Sequence, residues 1–584
     1  MLTHLKRAWS IVRTEGPNDA YRKLRRQFDL YRQAGAYRQW ILEHDTFTEE
    51  ECRNIGESID RLPSKHLVSV LMPVYNVDEI WLRKAIRSVQ DQIYPYWELC
   101  IADDHSTKPH VRKVLEEYAA GDGRIKIVFR ETNGHISAAS NSALELATGE
   151  FTALLDNDDE LAKHALYMIA EEINEHSRTD MIYSDEDMID SSGRRYGPRF
   201  KPDWSPDAFY SMNITNHLSV YRTSLLRAIG GFRVGFEGSQ DYDAALRVIE
   251  KIPASNIRHI PHVLYHWRTI PGSVAFGSGE KTYAHQRARL SLNEHFKRTG
   301  VAAKSVKGSG QLHRTVYSLP EPPPLVSIIL FAGERLSQTL GSILSRTGYK
   351  NYELIVVAHG FPVDVPDDRR IKVVEFEKLS KYVLLNKAAK MASGSVLVFV
   401  DNSTIVKTPD WLDEAVSVAL QKEVGAVGVK LLYPNRRIKH AGLILGIRGG
   451  VGRAHHNFGF RHYGNNMRLS ITQNFSAVSI DCMAIRRDVF ESVDGFEDVI
   501  FPNEYGDVDL CLRLREKGYR NVWTPWAELV QSNKPGEANG IELERLRKRW
   551  REFFEKDPYY NPNLSNESDD FSLSFPPRID KFSL

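Results

Sequence analysis

Acidic residues gather at three places in the first half of the chain. Asp103-Asp104 close one apolar run, Asp156-Asn157-Asp158-Asp159 close another, and Asp241 and Asp243 stand in Gly238-Ser-Gln-Asp-Tyr-Asp. Carboxylates two residues apart in extended or turning chain can converge on one divalent cation. Hard oxygen ligands select Mg2+ or Mn2+, which in turn hold phosphates. Asp and Asn are also ordinary turn formers, and taken alone the acidic turn favours that plainer reading. Asp241 lies where a helix should open, and the helix N-terminus stabilises an ionised carboxylate that can take a proton. Residues two apart on a helix diverge, so only one of Asp241 and Asp243 faces a substrate while the other caps or points outward. His266, in Leu264-Tyr-His-Trp-Arg, has the chemistry of a metal ligand. A lone strand histidine is more often structural.

These residues need a scaffold, and the hydrophobic pattern supplies one. Strands are predicted at Val68–Met72, Glu98–Ala102, Ile125–Phe129 and Phe151–Leu155, with amphipathic helices between them. That alternation means a parallel sheet covered on both faces, with ligands at the carboxyl ends of its strands. The acidic pairs follow directly after strands two and four.

The pattern then begins again. Leu67-Val-Ser-Val-Leu matches Leu325-Val-Ser-Ile-Ile, and Phe151-Thr-Ala-Leu-Leu-Asp-Asn matches Val396-Leu-Val-Phe-Val-Asp-Asn. Asp241-Tyr-Asp-Ala-Ala-Leu-Arg matches Asp507-Val-Asp-Leu-Cys-Leu-Arg. The predicted organisation is a basic helical segment at 1–62, an α/β domain at 63–305, a proline-rich linker at 306–324, a second copy at 325–540, and a helix with polar tail at 541–584.

Composition narrows the function classes. The 584 residues carry 77 Lys+Arg against 76 Asp+Glu, a net charge of +1, which argues against a dedicated nucleic-acid binder. Four scattered cysteines argue against a disulfide framework and fit a reducing cytoplasm. No apolar run reaches membrane-spanning length, and the start lacks a signal-peptide core. No GxGxxG follows the first strand, which disfavours a dinucleotide oxidoreductase. Residues 1–40 hold nine Lys/Arg against three acids, a local charge of +6. Two readings stay open for that segment: an anionic membrane surface, or a stripe of aromatics packed on its own domain, the favoured one.

Val70-Leu-Met-Pro-Val-Tyr-Asn, Ile101-Ala-Asp-Asp-His-Ser-Thr, Asn133…Asn141, Leu155-Asp-Asn-Asp-Asp-Glu, Ser239-Gln-Asp-Tyr-Asp and Tyr265-His-Trp, in this order, resemble the motifs of family-2 glycosyltransferases with the GT-A fold. Tyr183-Ser-Asp-Glu-Asp, Phe200-Lys-Pro-Asp-Trp-Ser and His440-Ala-Gly-Leu-Ile-Leu-Gly resemble a tandem bacterial subgroup acting on surface polysaccharides such as O-antigen and capsule. The resemblance implies two tandem GT-A domains. It assigns Pro73, Val74, Tyr75, Asp103, Asp104, Asn141 and Asp156 to a nucleotide-sugar, whether UDP-, dTDP- or GDP-linked. It assigns Asp156, Asp158 and His266 to Mn2+ or Mg2+, and Asp241 to the base of an inverting transfer onto a lipid-linked glycan acceptor. Ser140 departs from the arginine that the family often carries before Asn141.

In the second copy Asp103-Asp104 become Ala358-His359 and Asp158 becomes Ser403, while Asp401 and Asp507 survive. His440, His455 and His456 read as structural. This copy is expected to be weakened for metal and nucleotide. The expected protein is therefore a cytoplasmic glycosyltransferase, peripheral to the membrane in one reading. Its rivals are an enzyme with two active domains and a non-catalytic glycan-binding scaffold.

Overall fold

The computed structural model describes residues 35–270, 282–359, 363–533 and 540–582. Most of the basic segment, from Leu2 to Tyr31, lies outside the described residues. Its described remainder packs inward: Tyr37 and Trp40 are buried, and the Tyr37 hydroxyl donates to Asp187 at 2.7 Å. The helix Glu49–Arg61 follows, opened by a reciprocal Thr48–Glu51 capping box.

The first domain is one nine-stranded sheet. Its strands are β1 (Val68–Val74), β2 (Trp97–Asp103), β3 (Ile125–Phe129), β4 (Phe151–Leu154), β5 (Glu160–Leu161), β6 (Met181–Asp190), β7 (Arg195–Arg199), β8 (Ser219–Arg222) and β9 (Ile257–Thr269). They run in the order β3-β2-β1-β4-β8-β6-β9-β5, with β7 beside β6. β1 pairs in parallel with β2 and β4, so Val74, Asp103 and the acids after β4 emerge at one sheet edge. β1 and β2 are buried almost throughout, as strands covered on both faces must be.

The second sheet repeats this order. Ile371–Glu375, Tyr352–Ala358, Val326–Phe331, Val396–Val400, Cys482–Arg486, Val424–Leu432, Arg520–Gln531 and Thr404–Val406 follow one another across it. The duplication is thus complete in topology.

Two predicted boundaries change. The linker expected at 306–324 begins as a hairpin, Ala303–Lys307 paired with His313–Tyr317. Alternating side chains and the Gly308-Ser-Gly310 turn favour strands there, and the prolines lie only at 320–324. The polar tail is a strap across the first domain: Asn561 donates to Asp185 at 2.8 Å, Asn563 to the Pro261 carbonyl at 2.7 Å, and Lys581 to the Thr46 carbonyl at 2.6 Å. The domains also meet directly. Asp207 accepts from Arg520 at 2.7 Å and from Asn474 at 2.8 Å. Among the described residues no helix is long and apolar enough to cross a membrane.

Candidate active site

The carboxyl ends of β1, β2 and β4 are tied into one ledge. Asn157 in the acidic turn donates to the Pro73 carbonyl at 2.9 Å. The Asn76 amide oxygen accepts from Thr107 and Lys108 backbone N–H groups at 2.8 and 3.0 Å, linking the loops after β1 and β2. Val74 is buried, whereas Tyr75 is 49% exposed. Asp103 is buried and accepts from the Ser106 N–H at 3.3 Å.

Its neighbour Asp104 is differently engaged. One oxygen accepts from Arg130 and from the Gly134 N–H, both at 2.9 Å, and so fastens the loop that opens the helix His135–Leu146. Asn141 on that helix also works within the fold, contrary to the donor-contact assignment. Its amide donates to the Phe232 carbonyl and accepts from the Phe232 N–H, both at 2.8 Å. A Cβ on Gly231, where φ is +65°, would stand 2.3 Å from the Asn141 oxygen. Only glycine fits that clamp.

Among the described residues, one group of potential ligand atoms converges: Asp156, Asp159 and His217, all within 4.8 Å of one another. His217 stacks on Tyr265 with centroids 4.5 Å apart, and Tyr265 donates its hydroxyl to Asp159 at 2.5 Å. The Asp159 carboxyl is pushed well above the ordinary carboxylate range, first by burial and then by the charges of Asp158 and Asp156. Repulsion of that kind is what a bound cation relieves. His217 Nδ1 donates to Glu186 at 2.7 Å, which leaves Nε2 as its ligand nitrogen. Burial raises the Glu186 pKa, but Lys201, Arg199 and His217 hold it below the usual range. A buried carboxylate that orients a ligating imidazole is the familiar outer partner of a metal site. The donor set fits a divalent cation.

His266 does not join this group, contrary to the expected ligand set. Alternation along β9 sends Tyr265 toward Asp156 and Asp159, and His266 to the opposite face. There His266 Nδ1 donates to Asp187 at 2.7 Å, beside a separate cleft of about 500 Å³ lined by Lys84, Arg87, His164 and Arg195. Asp158 borders the group, and its backbone carbonyl accepts from Arg268 at 2.6 Å.

Asp241 lies in the first turn of the helix Gln240–Ile249 and accepts from the Asn213 side-chain amide at 3.0 Å. Asn213 is itself held by the Thr215 hydroxyl at 2.7 Å. Burial raises the Asp241 pKa, opposed by His217 and reinforced by Asp156, so these three share one electrostatic field. Asp243 faces away and neither caps the helix nor reaches solvent. It is fully buried between Arg233 and Arg247, the latter at 2.8 Å.

Sequence reasoning passed over Asn213, Thr215, His217 and Glu186. Three of them stand in Asn213-Ile-Thr-Asn-His217, a run of amide, hydroxyl and imidazole groups leading into β8. Such a run is too polar for the buried strand it precedes and marks side chains with partners elsewhere.

In the second domain, Asp401 accepts from the Ser403 N–H and hydroxyl at 2.8 and 2.5 Å and from Asn533 at 3.0 Å. Asp507 accepts from the Ile480 N–H at 2.9 Å and from the Tyr382 hydroxyl at 3.2 Å. Burial drives the His440 pKa down to about 3, and His455 stacks on Phe571 at 4.1 Å. Both are neutral core residues.

Comparison with known proteins agrees with this architecture. A model described as glycosyl transferase family 2 matches residues 69–230, and one described as glycosyltransferase-like family 2 matches residues 323–552. The chain is 42% identical over 547 residues to an uncharacterised protein, y4gI, of Sinorhizobium fredii, covering 89% of this chain and 60% of that one. It is 33% identical over 543 residues to the O-antigen biosynthesis protein RfbC of Myxococcus xanthus, covering 88% of this chain and 42% of that one. The chain therefore spans about half the length of these relatives. Among solved structures, S. aureus TarS 1–349 in complex with UDP-GlcNAc matches at 24% identity and a TM-score of 0.31, covering 40% of this chain and 73% of that one. With a matched domain on each side of the hairpin and the same strand order in both, the chain belongs to the family-2 glycosyltransferases as a tandem of two GT-A-type α/β domains.

Proposed function

We propose that the chain is an inverting glycosyltransferase whose first domain moves a sugar from a nucleotide-sugar to a hydroxyl of a growing, lipid-linked bacterial surface glycan. The observation that carries this reading is the gathering of Asp156, Asp159 and His217 within 4.8 Å, in one field with Asp241. The relative named for O-antigen biosynthesis supports the substrate class.

Tyr75 and Asp103 would take the base and ribose of the donor. Asp156 and His217, with the Asp158-Asp159 turn beside them, would hold Mn2+ or Mg2+. A bound divalent cation supplies positive charge to the departing diphosphate. Asp241 takes the proton of the acceptor hydroxyl as the new bond forms opposite the leaving group. Its raised pKa makes it a stronger base than a surface carboxylate, and Asn213 fixes the oxygen it presents.

The enzyme reading separates from a glycan-binding scaffold by acceptor-dependent release of nucleoside diphosphate. EDTA should stop that release and Mn2+ restore it; full turnover in chelator would remove the metal from the mechanism. For the +6 segment at 1–40 packing on its own domain stays favoured over an anionic membrane surface, since Tyr37 and Trp40 at its end are buried. Deleting residues 1–34 should then leave co-sedimentation with anionic vesicles unchanged, and a clear loss of co-sedimentation would move the segment to the membrane.

A further inference from the structure

The two metal positions can be superposed by counting along paired strands. In the first domain Ala153 pairs with Val220, and three residues onward, just past the strand ends, stand Asp156 and His217. In the second, Val398 pairs with Ala484, and three residues onward stand Asp401 and Asp481. The second domain therefore carries an aspartate where the first has its imidazole. Two acids, Asp401 and Asp481, stand at this position, yet it is already filled.

The filler is Lys439, which is only 1% exposed. Its ammonium donates to Gln531 at 2.6 Å and to Asn533 at 2.5 Å, and pairs with Asp481 at 3.0 Å. An ammonium has three N–H donors, and here each has an oxygen. Asn533 then donates to Asp401 at 3.0 Å, which completes a bridge from one acid position to the other. Gln531, fully buried, is fixed by its own donations to Thr404 at 2.9 Å and the Asp481 carbonyl at 2.8 Å.

We propose that the Lys439 ammonium is a built-in replacement for the divalent cation, so that the second domain closes around its own positive charge and takes up neither metal nor nucleoside diphosphate. The proposal rests on reading the first domain as the metal site. A tethered ammonium satisfies the charge of Asp481 but has no open coordination position, whereas Mg2+ or Mn2+ keeps positions for phosphate oxygens.

Two consequences are measurable. The full chain should bind one Mn2+, and Asp156→Ala should remove it. Adding Lys439→Ala to Asp156→Ala should create a new Mn2+ site, because Asp401, Asp481, Gln531 and Asn533 would then leave an oxygen-lined space without its cation. Mn2+ titration by electron paramagnetic resonance reads both. The new site should be at least about tenfold tighter than any residual binding of Asp156→Ala, and a third change, Asp481→Asn, should abolish it. Should Lys439→Ala fail to fold, Lys439→Ala/Asp481→Asn removes the charge pair together, and Asp156→Ala alone still decides the first consequence. Retention by Asp156→Ala of an Mn2+ site that Asp401→Asn removes would overturn the proposal, as would a folded Asp156→Ala/Lys439→Ala chain that gains no site. If instead Asp156→Ala keeps full transfer activity, it is the reading of the first domain that fails.

Discussion

At the amino ends of their strands the two domains are nearly the same molecule; at the carboxyl ends they are not. Near the amino ends, Glu98 accepts from Ser69 at 2.6 Å and pairs with Lys126 at 2.5 Å. Glu353 does the same with Ser327 at 2.6 Å and Lys372 at 2.5 Å. The clamp of Asn141 on Phe232 returns as Asn386 on Phe496, at 2.9 and 3.0 Å. The buried pair Asp243–Arg247 returns as Asp509–Arg513 at 2.7 Å. Both copies keep these scaffold contacts, the clamp of Asn141 among them. Both also keep an acid at the Asp156 and Asp241 positions, as Asp401 and Asp507. What the second copy lacks is their company: Asp103 becomes Ala358, Asp158 becomes Ser403, and Asp481 stands at the His217 position. On the proposed reading, that company is what lets the first copy transfer a sugar.

The comparison breaks most readily at the cation site. Asp156→Ala should lower transfer by ~10²-fold or more, since a metal Lewis acid stabilises transition-state charge by several kcal/mol, while Asp401→Ala stays within a few-fold. His217→Ala should behave like Asp156→Ala and His266→Ala should not; steady-state rates across an Mn2+ titration tell them apart. One step out, Glu186→Gln should weaken metal affinity by ~10–100-fold, as loss of an outer carboxylate partner does.

Scaffold positions should instead respond equally in the two domains. Asp243→Asn and Asp509→Asn each leave a buried arginine without its counter-charge, at a cost of about 3–5 kcal/mol, read from denaturant unfolding. A large inequality between them would mean that one pair has a role beyond holding its helix. The smallest effect is on pH. Asp241 must be ionised to accept a proton, and its pKa is raised by burial. The rate should fall as pH drops through that raised value, so the acid limb lies above the ordinary carboxylate pKa of ~3.9. Asn213→Ala, which removes a donor to the ionised form, should move the limb higher still.

The parallel core was legible because buried parallel strands write themselves as continuous apolar runs, and the acids after β2 and β4 stood out at their ends. The partners across the sheet were not. His217, Glu186 and Tyr265 meet only because β8, β6 and β9 lie side by side in the fold, and no local period announces that pairing. His266 stands one residue from Tyr265 on β9, and a single step of strand alternation exchanges faces. Lys439 comes from a strand at the sheet margin and reaches its acids through tertiary contacts alone.

The central claim is that transfer chemistry belongs to the first domain. The measurement that tests it most directly is product analysis of Asp241→Asn and Asp507→Asn with one donor and one acceptor, after circular dichroism shows both variants folded. Asp241→Asn should lose transfer by ~10²–10⁴-fold, the usual cost of removing a general base. Asp507→Asn should keep both rate and linkage, with a stability loss of about 1 kcal/mol from weakened hydrogen bonds to the Ile480 N–H and the Tyr382 hydroxyl. If Asp507→Asn abolishes one of two distinguishable linkages in the product, both domains transfer sugars and the division drawn between them is wrong.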